Sequence, residues 1–152
     1  MTAEDLFSML NLLAMAAWLP LVLLPRARWA STHLPVAVPL LLAAIYVALV
    51  ASARWPSDGG FSSLAGVSAL FDNRRMLLAG WTHYLAFDLF IGGWQVRDAR
   101  RRGIPHLLVV PALLLTFLLG PAGLLLYLVT RRLAPGRGAP ALPAAPAPDG
   151  LE

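Results

Sequence analysis

The sequence predicts an all-α, polytopic integral membrane protein with four transmembrane helices and a short interfacial helix. Three observations carry that expectation. Of 152 residues, 59% are hydrophobic and only 13% charged, against roughly 25% charged in ordinary soluble domains. The charges gather in short clusters between long apolar blocks. Each block is long enough to cross a ~30 Å hydrocarbon core at ~1.5 Å per helical residue. Residues 1–132 therefore read as one transmembrane domain, and residues 133–152 as a disordered Pro/Ala-rich tail with no means of packing.

The composition also excludes several function classes. All 12 basic residues are arginine. They flank apolar spans instead of forming one patch, so the net charge of +4 does not argue for nucleic acid. No cysteine is present, which removes disulfides, thiolate catalysis and cysteine metal sites. The first apolar block lacks a basic leader and a small-residue cleavage site, and no transit-peptide signature precedes it. A bacterial inner membrane is the expected location.

The first span, 6–24, is uncharged; its one strongly polar residue, Asn11, suits a bond across a helix interface. Pro20 predicts a kink near its end, and Arg26, Arg28 and Trp29 close it. The second span is 34–53, with Pro35 in a first helical turn, where a missing N–H costs nothing, and His33 at the wet edge. Residues 54–75 are long for a connection. Within them 56–60 reads as a turn, and Ser62 or Ser63 caps a short helix bearing Leu64, Val67, Leu70 and Phe71 at helical spacing. Such an amphipathic piece is expected on the membrane surface or dipping into it; a lid over a lipid-facing cavity is the functional alternative.

The third span is 76–96, followed by a tight basic loop at 97–103 read as a topogenic and lipid-headgroup cluster in preference to a substrate site. The fourth, 104–130, is too long for one untilted helix, and Pro111 and residues 120–123 predict kinks or a local break. With four crossings the arginines divide evenly. Arg26, Arg28, Arg97, Arg100, Arg101 and Arg102 stand on one side, and Arg54, Arg74, Arg75, Arg131, Arg132 and Arg137 on the other. Only the shortness and density of its loops favours the Arg97 side as cytoplasmic.

Residues 81–94 hold the candidate chemistry. A carboxylate such as Asp88 inside an apolar span costs roughly 2.5–3.5 kcal/mol on insertion scales and is a functional-site hypothesis by default. The alternative is a packing device, with Gly92 and Gly93 allowing close helix approach. At ~100° per residue, Trp81, Tyr84, Asp88 and Gln95 share one stripe, and His83, Phe87, Phe90 and Trp94 the neighbouring one. Tyr84 and Asp88 are placed to hydrogen-bond; His83 and Asp88, five residues apart, do not form a simple pair. If the third and fourth helices are antiparallel neighbours, Asp88 is level with Ala112 and His83 with Thr116, its expected partner. His106 reaches Asp88 only through an offset or a water.

Desolvation favours the neutral form of a carboxyl, so Asp88 could give a proton to an oxygen of a lipophilic substrate, with an imidazole as base. The candidate catalytic residues are thus Asp88, His83 and His106. The candidate substrate-binding residues are Trp81, Tyr84, Phe87, Trp94 and Thr116. No metal site is expected, because His33, His83 and His106 lack the paired ligand spacing of diiron bundles. No nucleophile elbow supports hydrolysis, and one intramembrane carboxylate is thin for a transporter.

Residues 80–92, 103–107, Pro111, 113–117 and 120–127 resemble the plant neoxanthin-synthase family. This is the abscisic-acid-deficient-4-like membrane domain, which also has bacterial members of unknown role. The resemblance covers residues 1–132 and is strongest over 71–127. It implies a four-helix membrane protein of xanthophyll metabolism. Plant members are associated with converting violaxanthin to neoxanthin, in which a 5,6-epoxide opens to an allene and a tertiary alcohol. That reaction needs an acid at the epoxide oxygen and a base at a neighbouring carbon proton; Asp88 as acid and His83 or His106 as base would suit it. No cofactor is expected. The expected partners are a carotenoid or isoprenoid substrate, membrane lipids and a second copy of the chain, and no nucleic acid. The alternative is a non-enzymatic carotenoid- or lipid-binding scaffold in which Asp88 is a structural hydrogen-bonding residue.

Overall fold

In the computed structural model, which describes residues 2–134, every regular element is a helix. Helix α1 (Ala3–Leu23) opens on a capping box: Thr2 Oγ1 accepts the Asp5 N–H at 3.1 Å, and the Asp5 carboxylate accepts the Thr2 N–H at 2.7 Å. Helix α2 (Leu34–Ser52) is continuous with a π-helical turn, Trp29–His33, ahead of it. Pro35 accounts for that turn, since it brings no N–H to the Ser31 carbonyl four residues back. The elements Ala3–Leu23 and Trp29–Ser52 are the two helices, among the described residues, long and apolar enough to cross a membrane.

The connection behaves as its sequence suggests. The Gly59 N–H donates to the Pro56 carbonyl at 3.1 Å, and Ser63 Oγ accepts the Gly66 N–H at 3.1 Å to start α3 (Leu64–Asp72). Helix α4 (Arg74–Arg102) has 29 residues, ~43 Å by helical rise. Its N-cap Asn73 accepts from the Arg75 and Met76 N–H groups. It does not stop at Val96. Residues 97–102, expected as a loop, are its last turns, because nothing there breaks a helix and arginines suit the negative end of the dipole. Gly103, at φ 68°, takes the left-handed conformation that ends it.

The largest departure from expectation concerns residues 104–130. They form two short helices, α5 (His106–Leu119) and α6 (Pro121–Leu133), folded back on one another. Helix α5 starts beside the end of α1, where His106 Nε2 donates to the Val22 carbonyl at 2.8 Å, and runs to the middle of α4. Helix α6 then returns, so that Tyr127 and Arg131 reach Asp98 near the end of α4. Local chemistry permits the reversal. Gly120 adopts φ 42° and ψ −94°, Pro121 cannot continue the α5 ladder, and Gly123 lies directly against the Thr116 backbone. With 14 and 13 residues, each arm is ~20 Å long, short of a ~30 Å core. The expected fourth span is a hairpin that leaves by the end it entered.

This changes the charge map. At one end of the bundle Arg97 Nη1 donates to the Ser31 carbonyl at 3.0 Å and Arg100 Nη1 to the Pro25 carbonyl at 3.1 Å. At the other, Arg74 pairs with Glu4 at 3.2 Å, and Arg75 donates to the Ser52 carbonyl at 3.1 Å. Among the described residues, Arg26, Arg28, Arg97, Arg100, Arg101, Arg102, Arg131 and Arg132 now share one end, against Arg54, Arg74 and Arg75. The even division does not survive. Arg137 and the tail from residue 135 lie outside the described residues.

Helix α4 is the axle. Leu85, Leu89 and Val96 are buried against Leu10, Trp18 and Leu21 of α1, Leu42 of α2 and Val109 and Leu113 of α5. Asn11 makes its expected bond across an interface, accepting from Trp81 Nε1 at 3.0 Å. The outward surface is also apolar, with Leu12, Leu40 and Leu125 each about two-thirds exposed; such a surface suits lipid, and the chain associates with membranes.

The hairpin gives a stability prediction. A methyl at Gly123 would collide with the Thr116 backbone, whereas one at Gly60 has open space. Gly123→Ala should lower stability by about 3 kcal/mol or more and Gly60→Ala should leave it unchanged. Thermal unfolding in detergent measures both; equal melting temperatures for the two variants would refute the hairpin packing.

Candidate functional site at the hairpin tip

Asp88 is the middle residue of α4 and meets the tip of the hairpin. A Cβ at Gly120 would stand 2.8 Å from Asp88 Oδ1 and 3.2 Å from Oδ2, so the carboxyl fills the space a side chain would need. Gly120 is thus required twice, by its φ and by its neighbour. Because α6 begins there, the carboxyl also lies at the positive end of the α6 dipole. Asp88 is buried, and its Oδ2 has no hydrogen-bond partner.

The neighbours on its stripe are all committed. Tyr84, one turn earlier, donates to the Phe117 carbonyl at 2.9 Å. That carbonyl is free because the residue four places on is Pro121, which has no N–H. The Tyr84 hydroxyl also stays beside the Asp88 carboxyl, so the two side chains are neighbours as their spacing predicts. Gln95 Nε2 donates to Thr116 Oγ1 at 2.9 Å, and the Thr116 hydroxyl donates to the Ala112 carbonyl at 2.8 Å. Thr116 is therefore partnered with Gln95, not with His83. Asp88 Oδ2 is the buried side-chain atom left over among the described residues.

The histidines are elsewhere. His83 is exposed on another face of α4, stacked on Phe87 with ring centroids 4.4 Å apart and 5.7 Å from the Tyr46 ring. His106 fastens α5 to α1, and the length of α5, ~21 Å by helical rise, separates it from the tip. The structure does not gather Asp88, His83 and His106. Two causes act together. The stripes of Asp88 and His83 point ~140° apart. The continuation of α4 to Arg102 moves the turn to residues 103–105, so Asp88 meets Gly120 instead of Ala112.

Of the candidate binding residues, Trp81 is tied to Asn11. Phe87, with Phe90, walls an open apolar groove of about 260 Å³ against Val36, Pro39, Leu40 and Ala43 of α2. Trp94 packs edge-on to Tyr127 at 5.3 Å, with the Arg131 guanidinium 6.0 Å from its ring centre.

That last contact belongs to a cluster the sequence did not reveal. Asp98 accepts from the Tyr127 hydroxyl at 2.7 Å and from Arg102 Nε at 3.0 Å, and pairs with Arg131 Nε at 3.4 Å. It clips the returning arm, α6, to the end of α4. Burial works against its charge, but the Tyr127 hydroxyl and the two guanidinium groups hold the Asp98 carboxyl below the usual carboxylate range. The signal was a single acid among arginines; its partner Tyr127 was hidden because four crossings place Arg131 on the opposite side. No group of three His, Asp or Glu side chains able to hold a metal ion occurs among the described residues.

The family model described as ABA DEFICIENT 4-like matches residues 5–127. The chain belongs to the ABA4-like family. No curated protein and no solved structure matches it. The matched region of this ABA4-like protein contains α1 to α5 and the first half of α6, and so includes Asp88 and the whole hairpin tip.

Two outcomes follow from the geometry. Tyr84→Phe strands the Phe117 carbonyl and should cost about 1–3 kcal/mol, read as a lower melting temperature; an unchanged value would show that the bond does not hold the tip. The depressed Asp98 carboxyl contributes stability that is complete above the ordinary carboxylate range and is lost as pH falls through its own lower value. Asp98→Asn should remove that acid-side loss along with the stability itself, as pH-dependent melting would record.

Proposed function

We propose that this ABA4-like protein is a membrane-embedded isomerase of a carotenoid epoxide or related isoprenoid, with Asp88 as its acid–base group. One observation carries the reading: a carboxyl at the middle of the longest helix, buried and with one oxygen unpartnered. Family membership supports a carotenoid-related role. Opening an epoxide to an allenic alcohol transfers one proton to oxygen and removes one from a neighbouring carbon, with no net change. A single carboxyl can do both, one oxygen giving a proton and the other taking one. This removes the need for His83 or His106 as base, which their distance from the tip disfavours. Substrate enters by displacement of the tip at Gly120.

The same reading assigns topology. Helix α1, the Trp29–Ser52 element and α4 cross the membrane, while α5 and α6 form a re-entrant hairpin from the arginine-rich end. The arginine excess makes that end cytoplasmic, and in a bacterium the membrane is the inner one.

A non-enzymatic carotenoid- or lipid-binding scaffold is the second reading. The position of Asp88 against the first residues of α6 favours it, since a carboxyl there also stabilises a helix start.

Expression in a host that makes epoxy-carotenoids, with chromatographic resolution of the pigments, separates the two. The isomerase converts pigment, loses 100-fold or more of its rate in Asp88→Asn (about 10²–10⁴ for a lost acid–base group), and keeps its rate in His83→Ala and His106→Ala. Unaltered pigment with folded protein, or full activity in Asp88→Asn, would overturn it; bound but unaltered pigment is the outcome the scaffold predicts. For topology, the chain's lack of cysteine makes single-cysteine labelling clean. Cysteines at Ser57 and Arg132 should react from opposite sides of the membrane, and reaction from one side would restore four crossings.

A further inference from the structure

We infer that the arginine-rich end carries a site for one anionic phospholipid, its phosphate held by Arg28, Arg97, Arg100 and Arg101 and one acyl chain laid along the α2–α4 groove. The site is independent of Asp88 and of any reaction there. Its mouth is a cavity of about 400 Å³ lined by those four arginines and Thr32. No acidic residue lines it. Asp98, one residue from Arg97, is engaged by Tyr127, Arg102 and Arg131. Arg97 and Arg100 are held in place from behind by the Ser31 and Pro25 carbonyls and the Ser31 hydroxyl, each through Nη1, so other guanidinium N–H groups remain to donate. A phosphodiester is the acceptor that such a fork geometry suits.

The tail argument is one of alignment. Thr32 stands one turn before Val36 on the α2 element, and Arg97 two turns after Phe90 on α4. Val36, Leu40, Phe87 and Phe90 wall the apolar groove of about 260 Å³ described above. Its upper end thus lies ~10 Å below the arginines by helical rise, a separation that a glycerol ester linkage bridges. A free phosphate would use the mouth and leave the groove empty; a phospholipid uses both.

The test uses the full chain in detergent, with retained lipid counted by native mass spectrometry after addition of phosphatidylglycerol or phosphatidylcholine. Wild type should retain one phosphatidylglycerol in preference to phosphatidylcholine. Arg28→Gln with Arg101→Gln should weaken that retention about tenfold or more; both side chains are exposed and make no side-chain hydrogen bond among the described residues, so the fold is kept. Arg26→Gln with Arg132→Gln removes the same charge at the same end, outside the mouth, and should change nothing. Leu40→Trp fills the groove and should also weaken retention, while millimolar inorganic phosphate should not displace the lipid. The proposal is overturned by equal retention of the two lipids, by an equal loss in the control pair, by displacement with inorganic phosphate, or by no effect of Leu40→Trp.

Discussion

A backbone carbonyl with no donor is expensive in an apolar surround, costing several kcal/mol, and the fold is organised around carbonyls that have lost theirs. Pro35 withdraws an N–H from Ser31, and Arg97 replaces it. Pro121 withdraws one from Phe117, and Tyr84 replaces it. The last turn of α1 leaves the Val22 carbonyl to His106. Each donor is a side chain from α4 or α5, so each repaired carbonyl is also a tie between elements. Pro35 with Arg97 and Pro121 with Tyr84 make sense as the two halves of such pairs. Asp88 stands apart because it is an acceptor facing a helix start, with an oxygen to spare.

Where those ties hold, small residues set how close the elements come. Gly92 receives the Trp18 ring, Gly93 the Pro35 ring, Gly120 the Asp88 carboxyl and Gly123 the Thr116 backbone. Association of helices in lipid gains little from apolar transfer and depends on packing and hydrogen bonds. A tie without a matching glycine would be held at too long a distance, and a glycine without a tie would leave a helix free to slide. Along α4, Gly80 against Phe71 and Gly92 and Gly93 against α1 and Pro35 set the approach, and Tyr84, Gln95 and Arg97 supply the ties on either side of its central carboxyl.

Much of this is legible in the sequence. The first two apolar elements, the Ser63 cap, the Pro56 turn and the stripe of Trp81, Tyr84, Asp88 and Gln95 could be read from spacing, because each depends on neighbours in sequence; that Asn11 bonds across an interface could be read too, but not that its partner is Trp81. The hairpin could not. Glycine, proline and glycine at 120–123 allow both a kinked crossing and a reversal, and the apolar pattern of 104–130 is the same in either case. What decides between them is the match of Tyr127 and Arg131 to Asp98, a pairing across chain direction that no local pattern encodes. The histidines mislead for a related reason. Imidazoles near a carboxyl in sequence suggest a joint site, yet His83 and His106 belong to other faces and other ties.

The hairpin also imposes an order on assembly. Neither arm is long enough to enter a bilayer as a span of its own, and the tip carries a carbonyl that α5 and α6 cannot satisfy between them. Its donor, the Tyr84 hydroxyl, is on α4. On the proposed topology the pair therefore partitions together, and only after α4 stands in the membrane, as a late addition to the three elements that precede it in the chain. Before that step Tyr84 and Asp88 have nothing opposite them.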